Sequence, residues 1–238
     1  MDWAQFDAVL FDLDGVLTPT ADVHMSAWRE MFTAYFDAHG VTPPYTDADY
    51  FAFVDGKPRY DGVRSALASR GVVLPEGDAS DEPGAPTVCG LGNAKNAAFD
   101  RVLRQAGVVP FPGSVALLDA LAVRGTDVAV VSSSRNTRAV LTAAGLADRF
   151  AVVVDGEVAL RESLAGKPSP QTFQHAAAAV GTTPDRSVVI EDAVSGVAAG
   201  RAGGFGLVIG VDRGAGAQTL LDAGADLVVR DLAELVQP

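Results

Sequence analysis

The sequence predicts an α/β protein with a doubly wound, mostly parallel sheet and an inserted helical cap. Short apolar runs recur along the chain without polar alternation, which is typical of strands buried on both faces. From about residue 110 onward these runs alternate with helical segments, the βαβα pattern of doubly wound folds. The six predicted strands cover residues 8–11, 128–131, 152–154, 188–190, 207–209 and 227–229.

Two helices of the second half have clear start and stop signals. Ser114 is predicted to cap the helix VALLDALAVR, which ends at Gly125. Ser169, followed by Pro170 at the first helical position, is predicted to start PQTFQHAAAAV, which ends at Gly181. These helices separate consecutive strands, as a parallel sheet requires.

Residues 21–105 break the alternation of strands and helices. Residues 24–36 and 61–72 place apolar side chains at helical spacing, and residues 75–86 form a loop rich in Pro, Gly and Asp. No convincing apolar strand occurs there. We therefore expect a core made of residues 1–20 and 106–238, and a helical cap of residues 21–105 that can close over a site at the strand ends.

Composition restricts the possible partners. The 238 residues are 48% hydrophobic and 20% charged, and the formal net charge is −12. So negative a surface repels nucleic acid and anionic lipid, and we expect neither as a partner. No apolar run is long enough for a membrane span, the N-terminus does not resemble a signal peptide, and the single Cys89 suits a reducing compartment. We expect a soluble, cytoplasmic protein.

The strongest chemical signal is FDLDGVLTPT at residues 11–20, directly after the first strand. Ligands of open α/β sheets bind beyond the carboxyl ends of the strands, so Asp12 and Asp14 occupy a suitable place for chemistry. Two carboxylates one residue apart can converge on a hard cation, and Gly15 permits a tight turn. An ordinary aspartate-rich turn is the alternative interpretation.

Three further polar segments follow predicted strands or begin a helix. The segment after the second strand consists of Ser132, Ser133, Ser134, Arg135 and Asn136. Its hydroxyls and N–H groups could bind phosphate oxygens, or merely cap a helix. Lys167 precedes a helix, where it could be a phosphate ligand or a solvated charge. Glu191 and Asp192 end the fourth strand, and acids placed near Asp12 and Asp14 repel each other unless a cation joins them.

The four segments form a coherent site for phosphoryl transfer. A metal gathers the acids, Ser132 and Lys167 hold phosphoryl oxygens, and one carboxylate attacks. A phosphate site in so acidic a protein needs such a local cation.

The order of these motifs resembles the haloacid dehalogenase superfamily, and the inserted helices resemble its β-phosphoglucomutase-like subgroup. The resemblance spans the whole chain. It implies that Asp12 is the nucleophile and Asp14 the general acid/base. It also implies Mg²⁺ as the cofactor, held by Asp12, the Asp14 backbone carbonyl, Asp192 and Glu191.

The subgroup resemblance extends to residues that would contact substrate. Thr20 and His24 match positions near the acid/base, the SSSRN and GKPSP loops match phosphate-binding loops, and the pair at residues 95–96 matches a Lys-Asn pair of the cap. Gly56 and Arg59 match positions of the cap that bind the non-reacting phosphate. The subgroup has a lysine where this chain has Asp55, and Lys57, two residues further on, is the candidate to replace that lysine. Pro19 replaces an acidic residue that is common in the subgroup.

Three functions are therefore considered. The first is conversion of β-glucose 1-phosphate to glucose 6-phosphate through a bisphosphate intermediate, so that the partner is a small phosphorylated metabolite, a hexose phosphate. The second is a phosphatase with the same residues, in which water attacks the aspartyl-phosphate. The third, a non-catalytic phosphosugar-binding module, is disfavoured because Asp12, Asp14, Lys167 and Asp192 are all present. Nothing in the sequence indicates an oligomeric state.

Overall fold

A computed structural model describes residues 3–236 and separates the chain into two compact units. The first unit comprises Met1–Thr20 and Val108–Pro238, and the second comprises Ala21–Gly107. We call them the sheet unit and the helical unit. No helix within residues 3–236 is long and apolar enough to cross a membrane.

The helical unit is built around a cluster of aromatic side chains. Its helices are Thr20–His39 (α1), Asp47–Asp49 (α2), Arg59–Ala68 (α3) and Val88–Ala106 (α4), with a π-helical turn at Tyr50–Val54. Trp28 and Phe32 lie on α1 with stacked rings whose centroids are 5.5 Å apart, and Phe32 also stacks on Tyr45. Among its described residues no strand occurs, as the sequence predicts, and residues 75–86 form a loop.

The sheet unit contains a six-stranded sheet in which every strand pairing is parallel. The strands are Ala8–Phe11 (β1), Asp127–Val131 (β2), Val152–Val154 (β3), Ser187–Glu191 (β4), Leu207–Val211 (β5) and Leu227–Val229 (β6). Their order is β3-β2-β1-β4-β5-β6. Strands β2 and β3 are therefore added on one side of β1, and β4, β5 and β6 on the other. The predicted doubly wound parallel fold is therefore confirmed, with β1 at the switch point where such folds bind ligands.

Helices connect the strands and cover the sheet. They are Pro112–Arg124 (α5), Thr137–Ala143 (α6), Gly156–Arg161 (α7), Gln171–Ala179 (α8), Val194–Ala202 (α9) and Ala217–Ala223 (α10). The core beneath them is apolar, with Leu10, Val189 and Phe173 fully buried. Burial on both faces explains why the strand sequences lack polar alternation.

Two predicted helix starts differ from the structure. Helix α5 begins at Pro112, so Ser114 lies inside the helix and does not cap it. Instead the Ser114 hydroxyl donates to the Val16 carbonyl at 2.6 Å, a contact that requires the tertiary fold. Helix α8 begins at Gln171, one residue after Pro170.

Candidate active site

The predicted site residues of the sheet unit converge at the carboxyl ends of β1, β2 and β4. Phe11, the last residue of β1, is in register with Ile190 on one side and Val130 on the other. Asp12 directly follows β1, and Asp192 directly follows β4. Because the strands are parallel and in register, the residues that follow them meet at one edge of the sheet.

Lys167 joins the acids of this edge. It lies between α7 and α8, and its Nζ is 2.5 Å from Asp12 Oδ1 and 2.5 Å from Glu191 Oε1. The same Nζ donates to the Val131 carbonyl at 3.0 Å, which ties the end of β2 to the site. Lys167 is almost fully buried, so its ammonium group is held by protein groups rather than by water.

The pKa of Asp12 and the pKa of Lys167 are both raised in this cluster, for different reasons. Burial raises the pKa of Asp12, and the nearby carboxylates of Glu191 and Asp14 act in the same direction against the opposing Lys167. Burial alone would lower the pKa of Lys167, but Asp12 and Glu191 outweigh it, so the net shift is upward. The lysine therefore stays an ammonium ion beside an excess of carboxylates.

The acids of the edge are suited to a divalent cation. Carboxylate oxygens of Asp12, Glu191 and Asp192, all buried, lie within 4.8 Å of one another. With these three ionised, Lys167 leaves a local excess of two negative charges, which a divalent cation would neutralise. Hard oxygen donors in this number fit Mg²⁺, which completes its octahedron with waters or phosphate oxygens.

Both carboxylate oxygens of Glu191 accept hydrogen bonds from the protein. Its Oε1 accepts from Lys167, and its Oε2 accepts from the backbone N–H groups of Asp192 and Ala193, at 3.0 Å each. Both oxygens therefore have protein partners, and the side chain positions Lys167.

Two glycines make room for the carboxylates. A Cβ on Gly15, where φ is +84°, would lie 1.8 Å from Asp192 Oδ2. A Cβ on Gly196 would lie 1.7 Å from Glu191 Oε1. The sequence indicated Gly15 as a tight turn, but Gly196 was missed because a glycine inside a helix gives no local sign of what it touches.

Asp14 is positioned by threonines of its own loop. The Thr20 hydroxyl donates to Asp14 Oδ1, and Thr18 Oγ1 lies 2.7 Å from Thr20 Oγ1. Thr18 also contacts the Leu13 carbonyl, at 3.3 Å. Thr20 was predicted from sequence and Thr18 was not.

The loop after β2 carries Ser132, Ser133, Ser134, Arg135 and Asn136. Ser132 is buried, and its Oγ accepts from the Ser134 N–H at 3.1 Å. The Ser134 Oγ accepts from the Asn136 N–H at the same distance. Arg135 lies 3.3 Å from Glu157 of α7. The hydroxyls thus shape the loop itself, at the start of α6.

The remaining predicted residues lie in the helical unit, at the start of α3 and on α1. Gly56 has a φ of +70°, and Lys57 Nζ donates to the Ser65 hydroxyl at 3.0 Å. Arg59 Nη2 donates to the Asn96 amide oxygen at 2.6 Å.

His24 of α1 contacts the buried Lys95 of α4 through its Nδ1, and its ring stacks on Phe99 with centroids 4.1 Å apart. The ammonium group of Lys95 also lies 5.1 Å from the centroid of the Trp28 ring. The predicted His24 and the Lys-Asn pair thus share one part of the helical unit.

Arg213 is a further residue of the site region that sequence reasoning missed. Its Nε donates to the Gly15 carbonyl at 2.9 Å. Arg213 lies in a glycine-rich turn between β5 and α10, where the local sequence gives no sign of what it contacts.

The fold and the site define an α/β protein with acids and a buried lysine gathered at the strand ends. The family model for haloacid dehalogenase-like hydrolases matches residues 6–204. The chain belongs to this family.

Relatives and solved structures support the assignment. The chain is 50% identical to a β-phosphoglucomutase of Mycobacterium bovis, over 96% of this chain and 91% of the relative. It is 30% identical to a validoxylamine A 7′-phosphate phosphatase of Streptomyces hygroscopicus, over 98% and 97% of the two chains. The crystal structure of a β-phosphoglucomutase from Clostridium difficile matches with a TM-score of 0.77 at 23% identity, covering 97% of this chain and 93% of that one. This last likeness concerns the fold.

Proposed function

We propose that this chain is a β-phosphoglucomutase, an enzyme that converts β-glucose 1-phosphate to glucose 6-phosphate by phosphoryl transfer. The observation that carries the proposal is the buried Lys167 between Asp12 and Glu191 at the strand ends, in a chain half identical to a β-phosphoglucomutase over nearly its whole length. The chain has the groups that phosphoryl transfer needs, because that reaction depends on positioning and charge neutralisation.

In the proposed reaction Asp12 is the nucleophile. One of its carboxylate oxygens forms a bond to phosphorus while the phosphorus–oxygen bond of the phosphate ester breaks. Asp14 donates a proton to the departing sugar oxygen, and later accepts the proton of the hydroxyl that attacks the aspartyl-phosphate. The contact of Thr20 with Asp14 Oδ1 supports this role, because it fixes the orientation of the carboxyl group.

Lys167 lowers the repulsion between the attacking carboxylate and the phosphate. A carboxylate is a poor nucleophile towards an anionic phosphate unless cations screen both groups. Nζ lies 2.5 Å from Asp12 Oδ1, so its charge is already placed before substrate binds. Ser132 and the residues 133–136 are proposed to bind the phosphoryl oxygens through hydroxyl and N–H groups.

Mg²⁺ is the proposed cofactor, held by Asp12, Asp192 and the Asp14 carbonyl, with Glu191 in support. When bound, it would neutralise charge on the phosphoryl oxygens. The cluster of buried carboxylates supports the assignment.

The metal assignment is tested by removing the ion or one of its ligands. Chelator treatment should abolish turnover and added Mg²⁺ should restore it. Asp192→Ala should raise the Mg²⁺ concentration needed for half-maximal activity by at least about a hundredfold, because it removes a charged ligand. Full activity of metal-free protein would rule out the requirement.

The helical unit is proposed to be the cap that binds the non-reacting end of a hexose phosphate through Gly56, Lys57 and Arg59, and His24 is proposed to contact substrate near the acid/base. An arginine can bind phosphate with two parallel hydrogen bonds, and binding energy at a remote phosphate can be used in the transition state. Asp55, where the subgroup has a lysine, favours one second candidate: a phosphatase of a small sugar phosphate. The likeness to the Streptomyces phosphatase supports it too.

One assay separates the two candidates. The enzyme is incubated with Mg²⁺, β-glucose 1-phosphate and a trace of glucose 1,6-bisphosphate, and glucose 6-phosphate and inorganic phosphate are measured side by side. A mutase forms glucose 6-phosphate with little phosphate release. Release of phosphate without glucose 6-phosphate would show that the chain is a phosphatase.

A further inference from the structure

The two peptide groups on either side of Gly15 are each held by one hydrogen bond. The Gly15 N–H donates to the Thr18 carbonyl at 2.7 Å, and the Gly15 carbonyl accepts from Arg213 Nε at 2.9 Å. Because a peptide group is planar, fixing the Gly15 nitrogen limits the direction of the Asp14 carbonyl in the same group. This is the carbonyl proposed above as a metal ligand.

The backbone at position 15 requires a glycine. Its φ is +84°, and its missing Cβ leaves space for the Asp192 carboxylate, so no other residue fits. A glycine can rotate its backbone more freely than any other residue. The loop therefore needs an external contact to keep both the Asp14 carbonyl and the wall beside Asp192 in place.

Arg213 also contacts two other segments of the sheet unit. Its guanidinium carbon lies 3.9 Å from the centroid of the Phe111 ring, and Nη1 donates to the Arg230 carbonyl at 2.9 Å. Phe111 in turn donates its N–H to the Leu17 carbonyl at 3.0 Å. The guanidinium group thus contacts three separate segments, one of which is the loop with Asp14. Such a planar group with several donors suits this better than a lysine.

We infer that Arg213 is a positioning residue for the metal site, acting through the Gly15 carbonyl. In this inference the effect of Arg213 passes through the backbone at Gly15. The inference rests on the proposed function, since it concerns the proposed Mg²⁺ ligands.

Charge and position predict opposite effects of Arg213, which makes the inference testable. Removing a positive charge near a cation site strengthens cation binding through electrostatics alone. Loss of the hydrogen bond to Gly15 weakens cation binding, because the ligands are then less well oriented. Arg213→Met removes both the charge and the donors, yet keeps an apolar side chain against Phe111.

The experiment measures Mn²⁺ binding to the metal-free protein by electron paramagnetic resonance, which needs no turnover. The dissociation constant for Arg213→Met should rise by about tenfold or more, the usual effect of losing a group that orients ligands. Arg213→Lys, which keeps the charge and one possible donor to Gly15, should fall between Arg213→Met and the wild type. Arg230→Met is the matched control, because Arg230 is exposed and Arg213 contacts its backbone carbonyl, which the substitution keeps. The Mn²⁺ dissociation constant of Arg230→Met should not rise.

The outcomes distinguish the inference from the function on which it rests. If wild-type protein binds Mn²⁺ and the folded Arg213→Met variant binds it equally or more tightly, the positioning role is overturned and the proposed function stands. If wild-type protein binds no Mn²⁺, both are overturned. If Arg213→Met does not fold, Arg213→Lys and Arg213→Gln decide, compared at unchanged secondary structure. Weaker Mn²⁺ binding by Arg213→Gln than by Arg213→Lys supports the positioning role, because electrostatics alone would give the opposite order. Wild-type affinity in both variants overturns it.

Discussion

The proposed phosphate-binding cations of the two units have different kinds of hydrogen-bond partner. In the sheet unit the buried Lys167 contacts two carboxylates, so the charge of the lysine is compensated inside the protein. In the helical unit the contacts shown for Lys57 and Arg59 are with neutral groups, the Ser65 hydroxyl and the Asn96 amide, and both side chains are partly exposed. A phosphate can displace a neutral partner without leaving a buried charge behind.

The kind of partner determines the effect of changing each charge. The compensated charges of the sheet unit cannot be changed singly without loss of stability or chemistry, because each leaves an uncompensated partner. A cation that donates to a neutral group can exchange that hydrogen bond for one to a ligand. The four predictions below test this comparison.

The largest effect is expected for the nucleophile. Asp12→Asn keeps the shape of the side chain but removes the attacking charge, so turnover should fall by at least about a thousandfold. The measurement is the steady-state rate with β-glucose 1-phosphate. Asp148→Asn is the control, because Asp148 is an exposed aspartate of the same unit. A folded Asp12→Asn protein with a tenth of wild-type activity would contradict the assignment.

The second effect concerns stability. Lys167→Met leaves Asp12 and Glu191 buried without their cation, so the free energy of unfolding should fall by about 3–5 kcal/mol. Denaturant unfolding is followed by the fluorescence of Trp3, in a Trp28→Phe background that leaves only the tryptophan of the sheet unit. Lys57→Met, which breaks a contact with a neutral hydroxyl, should cost less than about 1 kcal/mol.

A double variant checks the cause of this loss. Adding Glu191→Gln to Lys167→Met removes one of the two carboxylates left behind, and part of the lost stability should return. Equal costs for Lys167→Met and Lys57→Met would break the comparison between the two units.

These expectations also show how far sequence alone reaches. The buried parallel strands could be predicted because their β-branched runs lack alternation, and parallel strands bring Asp12 and Asp192 to one edge. The partner of each atom could not be predicted. Ser114 has the local pattern of a helix cap but bonds to Val16, and Arg213 lies in a glycine-rich turn yet contacts Gly15. Such contacts join residues distant in sequence, so only tertiary packing decides them.

The third effect is a loss of mutase activity without a loss of phosphate-ester hydrolysis. Arg59→Ala should lower the mutase kcat/KM by about a hundredfold, since a bidentate arginine–phosphate contact is lost. Hydrolysis of a small generic phosphate ester, which has no remote phosphate, should change little. Arg64→Ala is the matched control on the same helix, because Arg64 is exposed and pairs with Asp61 and Glu76.

The two activities together decide the role of Arg59. A parallel fall in both would show that Arg59 is structural. No change in either would show that the substrate is bound by other residues of the helical unit.

The smallest effect tests an ion pair of the helical unit in which both charges are compensated, as in the sheet unit. Burial opposes ionisation of Asp49, but Arg70 Nη2 donates to it at 2.7 Å and the Thr46 N–H also at 2.7 Å, so its pKa is lowered. A carboxyl group whose pKa is lower in the folded state stabilises the protein above its unfolded pKa of about 3.9, and this contribution is lost as the pH falls through the folded pKa. Asp49→Asn should therefore cost about 1 kcal/mol at pH 7.

The stabilisation by Asp49 should decrease as the pH falls. The difference in unfolding temperature between wild type and Asp49→Asn should be present at pH 7 and shrink steadily as the pH falls below about 4, because the wild-type carboxylate then becomes protonated. Trp28 fluorescence in a Trp3→Phe background reports on the helical unit. Asp47→Asn is the control, since Asp47 and its partner Arg29 are both exposed and such pairs contribute little. A difference that stays constant down to pH 3 would show that Asp49 acts through packing and not through its charge.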